Sequence, residues 1–247
     1  MRKVFEAAAD RWQQTIVADV PSVVGTLPSC FANVPPVSTT VVDDIVIEVV
    51  LQQIDGPGKI LGSAGPCYAR EEDDLPVSGV MYFDTDDLAY LESLGLFDEV
   101  IVHEMGHVLG IGSLWSYHRS LLSGTLADPY FAGQYGNMHW QAEGGTNLLP
   151  IENSGGPGTA LGHWRESVLR NELMTGYLNL GDNPLSRITA GSLRDMGYGV
   201  GIVGEQYALQ KGAPGVVPTT ESISSTGVNI ATGETVLNLI GTVPKGY

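Results

Sequence analysis

Residues 103–107 read His-Glu-Met-Gly-His and follow an apolar run, Val100-Ile101-Val102, that reads as a buried helix. At i and i+4 on a helix, His103 and His107 stand on one face with their imidazoles converging. Two nitrogen ligands so placed suit one zinc ion, and Glu104, one position round, is near enough to reach a water at that ion. The plain alternative is a pair of core histidines beside a helical carboxylate. A catalytic zinc needs three protein ligands and one open position. Gly110 is placed to end the helix in a sharp turn, yet Ser113 stands where a compact motif carries its third histidine. The remaining histidines are His118, His139 and His163.

The elements that must position these groups follow from periodicity and turn residues. Phe5, Ala8, Ala9, Trp12 and Ile16 have helical spacing, which predicts a helix over Phe5–Asp19. Ile45–Ile54 is β-rich and mostly apolar, and reads as an interior strand. Residues 56–66 carry four glycines and read as loop, with Cys67 following in it. Val77–Phe83 is a second strand, and Asp84, Asp86 and Asp87 stand at the start of a short helix. Acids favour a helix N-terminus; a calcium site is the sharper reading of the same trio. The metal helix is expected over Asp98–Ile111, apolar on nearly every side and therefore buried. A long Gly-rich stretch, 113–161, is expected either to be functional or to carry small elements of its own. Ser186–Met196 is an amphipathic helix through Ile188, Leu193 and Met196. Beyond Gly204 the periodicity fades. The expected units are therefore 1–112, with the zinc helix; 113–204; and 205–247, an irregular or short β appendage.

Composition narrows the function. The chain of 247 residues has 12 basic and 28 acidic residues, a formal charge of −16. No basic surface can follow a phosphate backbone, so nucleic acid is not an expected partner. No apolar run reaches membrane-spanning length, and the first residues lack the apolar core of a signal peptide. That fits either an intracellular protein or a fragment trimmed of its export segments. Cys30 and Cys67 cannot make a four-cysteine zinc site; they are either a disulfide pair or two buried thiols.

The chain resembles the leishmanolysin family of metzincin peptidases. The resemblance rests on His103-Glu104-x-x-His107-x-x-Gly110, on an insertion of several dozen residues, and on Gly162-His163-Trp164-Arg165-Glu166. It rests also on Asn171-Glu172-Leu173-Met174-Thr175-Gly176, which is similar to the family's Met-turn. It extends from about Phe5 to Tyr198. It implies an α+β metzincin-like zincin. The upper subdomain is a mixed twisted sheet with two long helices, the lower is mostly irregular and helical, and a cleft lies between them. It also implies His163 as third zinc ligand, Glu104 as the general base, and Met174 beneath the metal. Thr175, Gly176 and Tyr177 would border the substrate side-chain pocket. Val77–Phe83, with Gly79, Val80 and Met81, would be the sheet edge that holds a peptide substrate as an added strand. The expected protein is a monomeric zinc endopeptidase, secreted or at the cell surface, acting on protein or peptide substrates. Two rivals stand beside it. One is a zincin whose third ligand is a glutamate, Glu166 or Glu172. The other is a non-catalytic binding or adhesion module stabilised by its metal.

Overall fold

The computed structural model describes residues 2–58, 60–117, 120–201, 204–209, 228–229 and 240–243. The chain begins with α1 (Arg2–Gln13), the paired short strands β1 (Val23–Val24) and β2 (Val41–Val42), then β3 (Val46–Gln52), β4 (Gly62–Arg70) and β5 (Pro76–Asp84). Helices α2 (Leu88–Leu94) and α3 (Phe97–Val108) follow. Next come β6 (Leu122–Thr125), β7 (Asp128–Phe131), α4 (Gln134–Ala142) and β8 (Leu149–Pro150). The remainder carries α5 (Glu166–Leu169), β9 (Tyr177–Leu178), α6 (Arg187–Met196), β10 (Val228–Asn229) and β11 (Gly241–Val243). This is a mixed α+β architecture.

The main sheet has the order β11-β4-β5-β3. β3 runs parallel to β5, β4 antiparallel to β5, and β11 parallel to the end of β4. This reverses two expectations. Val77–Phe83 is not an edge: as part of β5 it is hydrogen-bonded on both sides, and Gly79, Val80 and Met81 are buried within the sheet. β3, expected in the interior, pairs only with β5 among the described residues and leaves Val49 and Leu51 exposed. A run of apolar residues does not report how many neighbours a strand has along its edges, and on β3 no residue is fully buried. The stretch expected as loop contains the start of β4. Glycines of both strands serve packing: a methyl group added to Gly62 of β4 would stand 2.9 Å from Glu104 Oε1 of α3, and one added to Gly79 of β5 would stand 2.5 Å from Val108 of α3 and 2.8 Å from the Gly65 carbonyl. Small residues on β4 and β5 thus let the metal helix lie close on the sheet.

Helix α1 packs beside α3, burying Ala8 and Trp12, and the Trp12 indole donates to the Val102 carbonyl at 2.9 Å. It ends well before Asp19. The β-branched run Thr15-Ile16-Val17 favours extended backbone, Ile16 bridges Val200, and the Val17 amide donates to Gly199. A groove of about 830 Å³ between α1 and β3 is lined by Phe5, Trp12, Ile47 and Met81; of the candidate site residues it carries Met81 and neither Glu104 nor any of the three histidines.

The 113–161 stretch holds the antiparallel sheet β6-β7-β8 and α4, which packs on α6. Asp195 of α6 accepts the Tyr135 and Gly136 amides at the start of α4, at 2.9 and 2.8 Å. Ser186 caps α6, accepting from the Ile188 and Thr189 amides. One apolar core runs from Ala8 and Trp12 through α3 to Leu193 and Met196. The 205–247 stretch lies mostly outside the described residues; its described parts include β10 and β11. No described helix is long and apolar enough to cross a membrane.

Cys30 and Cys67 form a disulfide. Cys67 is not in a loop but buried on β4, and Glu48 of β3 holds the opposite segment by accepting from the Cys30 amide and the Ser29 hydroxyl. The bridge spans 37 residues, and the chain-entropy cost of a loop that long is about 3–4 kcal/mol. The Cys30→Ala/Cys67→Ala variant is expected to lose about that much stability in urea denaturation, and thiol titration of the unfolded, unreduced wild type should find none free.

Candidate metal centre

His103 and His107 project from α3 one turn apart, and His163 reaches them from the segment after the insertion. Their Nε2 atoms stand 3.0 Å (His103–His107), 3.1 Å (His103–His163) and 3.1 Å (His107–His163) apart. All three residues are at most 1% exposed. Each Nδ1 meets a backbone carbonyl: Leu173 at 2.7 Å from His103, Ile111 at 2.8 Å from His107, and Thr159 at 3.0 Å from His163. A carbonyl can only accept, so each Nδ1 donates, and a neutral imidazole is left with a lone pair on Nε2. Three lone pairs aimed at one another across 3 Å in a buried space repel; a cation between them removes that cost. Three nitrogens about 2.0–2.1 Å from one ion at tetrahedral angles stand about 3.3 Å apart, close to the spacing seen. The donor set therefore fits a metal ion.

Among the described residues this trio is the group of three or more potential ligands whose donor atoms lie within 4.8 Å of one another. Glu166 and Glu172 do not join it. His139 lies on α4 against Gly191 of α6, and His118 is outside the described residues. The Asp84 carboxylate is taken up by backbone, accepting from the amides of Ile54, Asp55, Gly56 and Asp86. It tightens the turn before α2 and ties it to the 54–56 segment.

Glycines at close approaches bring these segments together. Gly110 has φ +104 and ends α3 as expected, its amide donating to the His107 carbonyl. Ser113, where a compact motif has its third histidine, instead donates its hydroxyl to the His107 carbonyl at 2.7 Å. Gly112 (φ +73) then lies against the backbone of Gly162: a methyl group there would stand 1.9 Å from the Gly162 oxygen. This contact sets the chain next to His163 directly on the end of the metal helix. On the other side of α3, a methyl group on Gly106 would meet Met174 Sδ at 2.7 Å. Met174 is fully buried against the helix between its two histidines.

Glu104 is fully buried, and its carboxylate lies against the first residue of β4: a methyl group on Gly62 would be 2.9 Å from Glu104 Oε1. Thr175 and Gly176 are buried beside Met174, and the Thr175 hydroxyl donates to the Arg170 carbonyl at 2.9 Å. Tyr177 is half-buried on β9, which pairs with β10; burial, then the negative Glu152 and Glu166, push its hydroxyl pKa up. Glu172 is wholly buried, and burial pushes its carboxyl upward against the opposing pull of donors from Thr189, Ser186 and Met174.

Sequence reasoning misses Gly62, Gly106, Gly112 and the structural part of Glu172. Gly106 and Gly112 sit inside or beside the His-x-x-x-His signal, so their small size was a visible clue. The approach of Gly62 to Glu104 has no local signature. No protein-family model matches the chain, and no curated protein shows a significant sequence match to it.

Two measurements probe this construction. Gly112→Ala faces both a backbone clash and a left-handed φ, and is expected to cost about 2–4 kcal/mol in denaturant unfolding and to weaken metal binding. Glu166 has a buried Oε2 without a hydrogen-bond partner, and burial pushes its carboxyl up to about 7 from 4.5. The folded chain then holds that proton more tightly than the unfolded chain, so the contribution of this carboxyl to stability is full below pH 4.5 and is lost as the pH rises to about 7. In metal-free protein, Glu166→Gln should match the wild type at pH 4 and exceed it by about 1–3 kcal/mol at pH 8 in paired urea melts.

Proposed function

We propose that this chain is a zinc-dependent endopeptidase of metzincin type, similar to the leishmanolysins. The observation that carries the reading is the buried triangle of three Nε2 lone pairs with Glu104 next in sequence to one of them. His103, His107 and His163 would hold the ion. When bound, zinc supplies a Lewis acid that polarises a peptide carbonyl and lowers the pKa of water to about 7.

The chain's own residues do the rest. Glu104 takes the proton of the attacking water on its carboxylate and passes it to the leaving amine, a general base and then a general acid. The three carbonyls of Leu173, Ile111 and Thr159 keep the imidazoles in one tautomer and one orientation. An extended peptide can pair with the outer edge of Gly62–Pro66. Among the described residues that stretch has β5 on one side and no strand on the other, whereas β11 covers Tyr68–Arg70. Main-chain pairing gives affinity with little side-chain selectivity, which leaves selectivity to the wall around Thr175, Gly176 and Tyr177. The Cys30–Cys67 disulfide supports an oxidising, extracellular or cell-surface setting.

A second reading has an observation in its favour. Glu104 and the three histidines are each at most 1% exposed, as in a closed structural metal site, so the peptidase reading requires a local movement to admit substrate. Glu104 argues the other way, since a structural site gains nothing from a buried carboxylate beside its ligands.

Mass spectrometry of a mixed peptide library separates the two. Zinc-loaded wild type is expected to make internal cuts. Glu104→Ala should keep one zinc per chain and lose about 10²–10⁴-fold in rate, and His163→Ala should lose the zinc. No cleavage by wild type with zinc bound, together with a fall in melting temperature on chelation, establishes the structural site instead.

A further inference from the structure

The Leu173–Met174 peptide unit is held at both ends. Its carbonyl accepts the His103 Nδ1 proton at 2.7 Å, and its N–H donates to Glu172 Oε2 at 2.7 Å. The other oxygen of Glu172 accepts from the Ser186 amide at 3.1 Å, the Ser186 hydroxyl at 2.7 Å, and the Thr189 hydroxyl. The direction of the Ser186 bond is fixed by groups that can only donate. The Ile188 and Thr189 amides occupy the Ser186 oxygen, and the Trp164 indole donates to the Thr189 hydroxyl at 2.8 Å. The Ser186 hydroxyl must therefore turn its proton onto Glu172, and the Thr189 hydroxyl donates to the same oxygen. Four donors meet one carboxylate that is 0% exposed, and a protonated carboxyl would give up one of those acceptor positions.

We propose that Glu172 is a positioning residue for the metal centre: its carboxylate acts on His103 through the Leu173–Met174 peptide, as a relayed carboxylate–histidine pair. A direct carboxylate on the outer nitrogen of a metal-bound histidine fixes the ring and raises its basicity. Here an amide stands between. Negative charge at the Met174 N–H polarises the peptide, makes the Leu173 oxygen a stronger acceptor, and so leaves more electron density on His103 Nε2. The same peptide fixes Met174 under Gly106, and the Met174 carbonyl accepts the Trp164 amide at 2.9 Å, one residue after His163. The carboxylate thus reaches the ligands of both segments through a single turn. This rests on the trio holding a metal ion, as proposed above.

The decisive variant is Glu172→Gln. It keeps the volume, but once its oxygen serves the hydroxyls its NH₂ must face the Met174 N–H, donor against donor. Zinc affinity, read by chelator competition, is expected to fall about 10–100-fold, and the d–d bands of the cobalt-loaded protein should shift. Ser186→Ala and Thr189→Val each remove a donor from the far oxygen and leave the Met174 bond. Both should lower thermal stability while zinc affinity stays within about threefold or rises. A loss of affinity that merely tracks melting temperature across the three variants overturns the proposal. A measurement on metal-free wild type needs neither zinc nor substrate, and is independent of whether Glu172→Gln folds. Long-range ¹H–¹⁵N spectra should show His103 protonated at Nδ1, with that proton strongly downfield. Protonation at Nε2 would overturn the relay even in an active peptidase, and a wild type with the expected spectrum that cuts no peptide would sink the peptidase reading alone.

Discussion

Three imidazoles whose Nε2 atoms converge to about 3 Å are the constraint on which the rest of this structure depends, and much of the surrounding chain serves to impose it. Left to themselves, the rings would rotate apart or take up the other tautomer and hydrogen-bond mutually. Each is prevented by a carbonyl at Nδ1, and the three carbonyls come from different places: the turn after α3, the insertion, and the turn that carries Met174. No one segment can satisfy all three rings, so the centre can be assembled only when these stretches are folded together. That is also why it is buried. Water at the rings would screen the repulsion and compete for the carbonyls.

Bringing a helix, a loop and a turn to one point is a packing problem, and small residues solve it. Gly106 leaves room under the helix for Met174, and Gly112 lets two backbones touch beside His163. On the sheet side, Gly62 makes room for the Glu104 carboxylate, and Gly79 for Val108. The high glycine content, which at first sight suggests loose chain, is here the means of close contact. Polar groups then hold what the glycines admit. Arg11 of α1 reaches Glu99 of α3, Glu205 and the Asn183 carbonyl, which ties the first helix, the metal helix and the segment before α6 into one bracket.

The parts of the fold legible in sequence are those with a local signal. The 3.6-residue period and the His-x-x-x-His spacing mark α3, and Ser186 ahead of an amphipathic run marks α6 to within a residue. β4 is hidden because Gly62, Gly65 and Pro66 carry the signature of a turn, while Gly62 here gives space to the Glu104 carboxylate of α3. The exchange between β3 and β5 has a different cause. An apolar run does not say how many edges of a strand are paired, and on β3 it does not mark burial either, since Val49 and Leu51 are exposed. The third histidine could be named only through resemblance, since 113–161 intervenes and three histidines remain on equal terms by spacing alone. The function of Glu172 was beyond reach for a further reason: its partners, Ser186 and Thr189, are ordinary residues 14 and 17 positions away.

The two halves of the centre are thus built by different physics. The His103–His107 half rests on apolar burial: Val100, Ile101 and Val108 seat α3 against the sheet, and the histidines follow from helical geometry. The His163 half rests on satisfied polar groups. Glu172 gathers four donors, Glu152 accepts the Glu166, Asn153 and Ser154 amides, and Trp164 is held by both its amide and its indole. Apolar contacts tolerate small shifts, whereas a buried hydrogen-bond network holds one geometry or fails. A long irregular stretch has no periodic element to aim a ligand, so the burden of precision passes to its polar network. The helix supplies two ligands by its pitch; the third is placed by the buried polar network of its own segment, its Nδ1 on the Thr159 carbonyl.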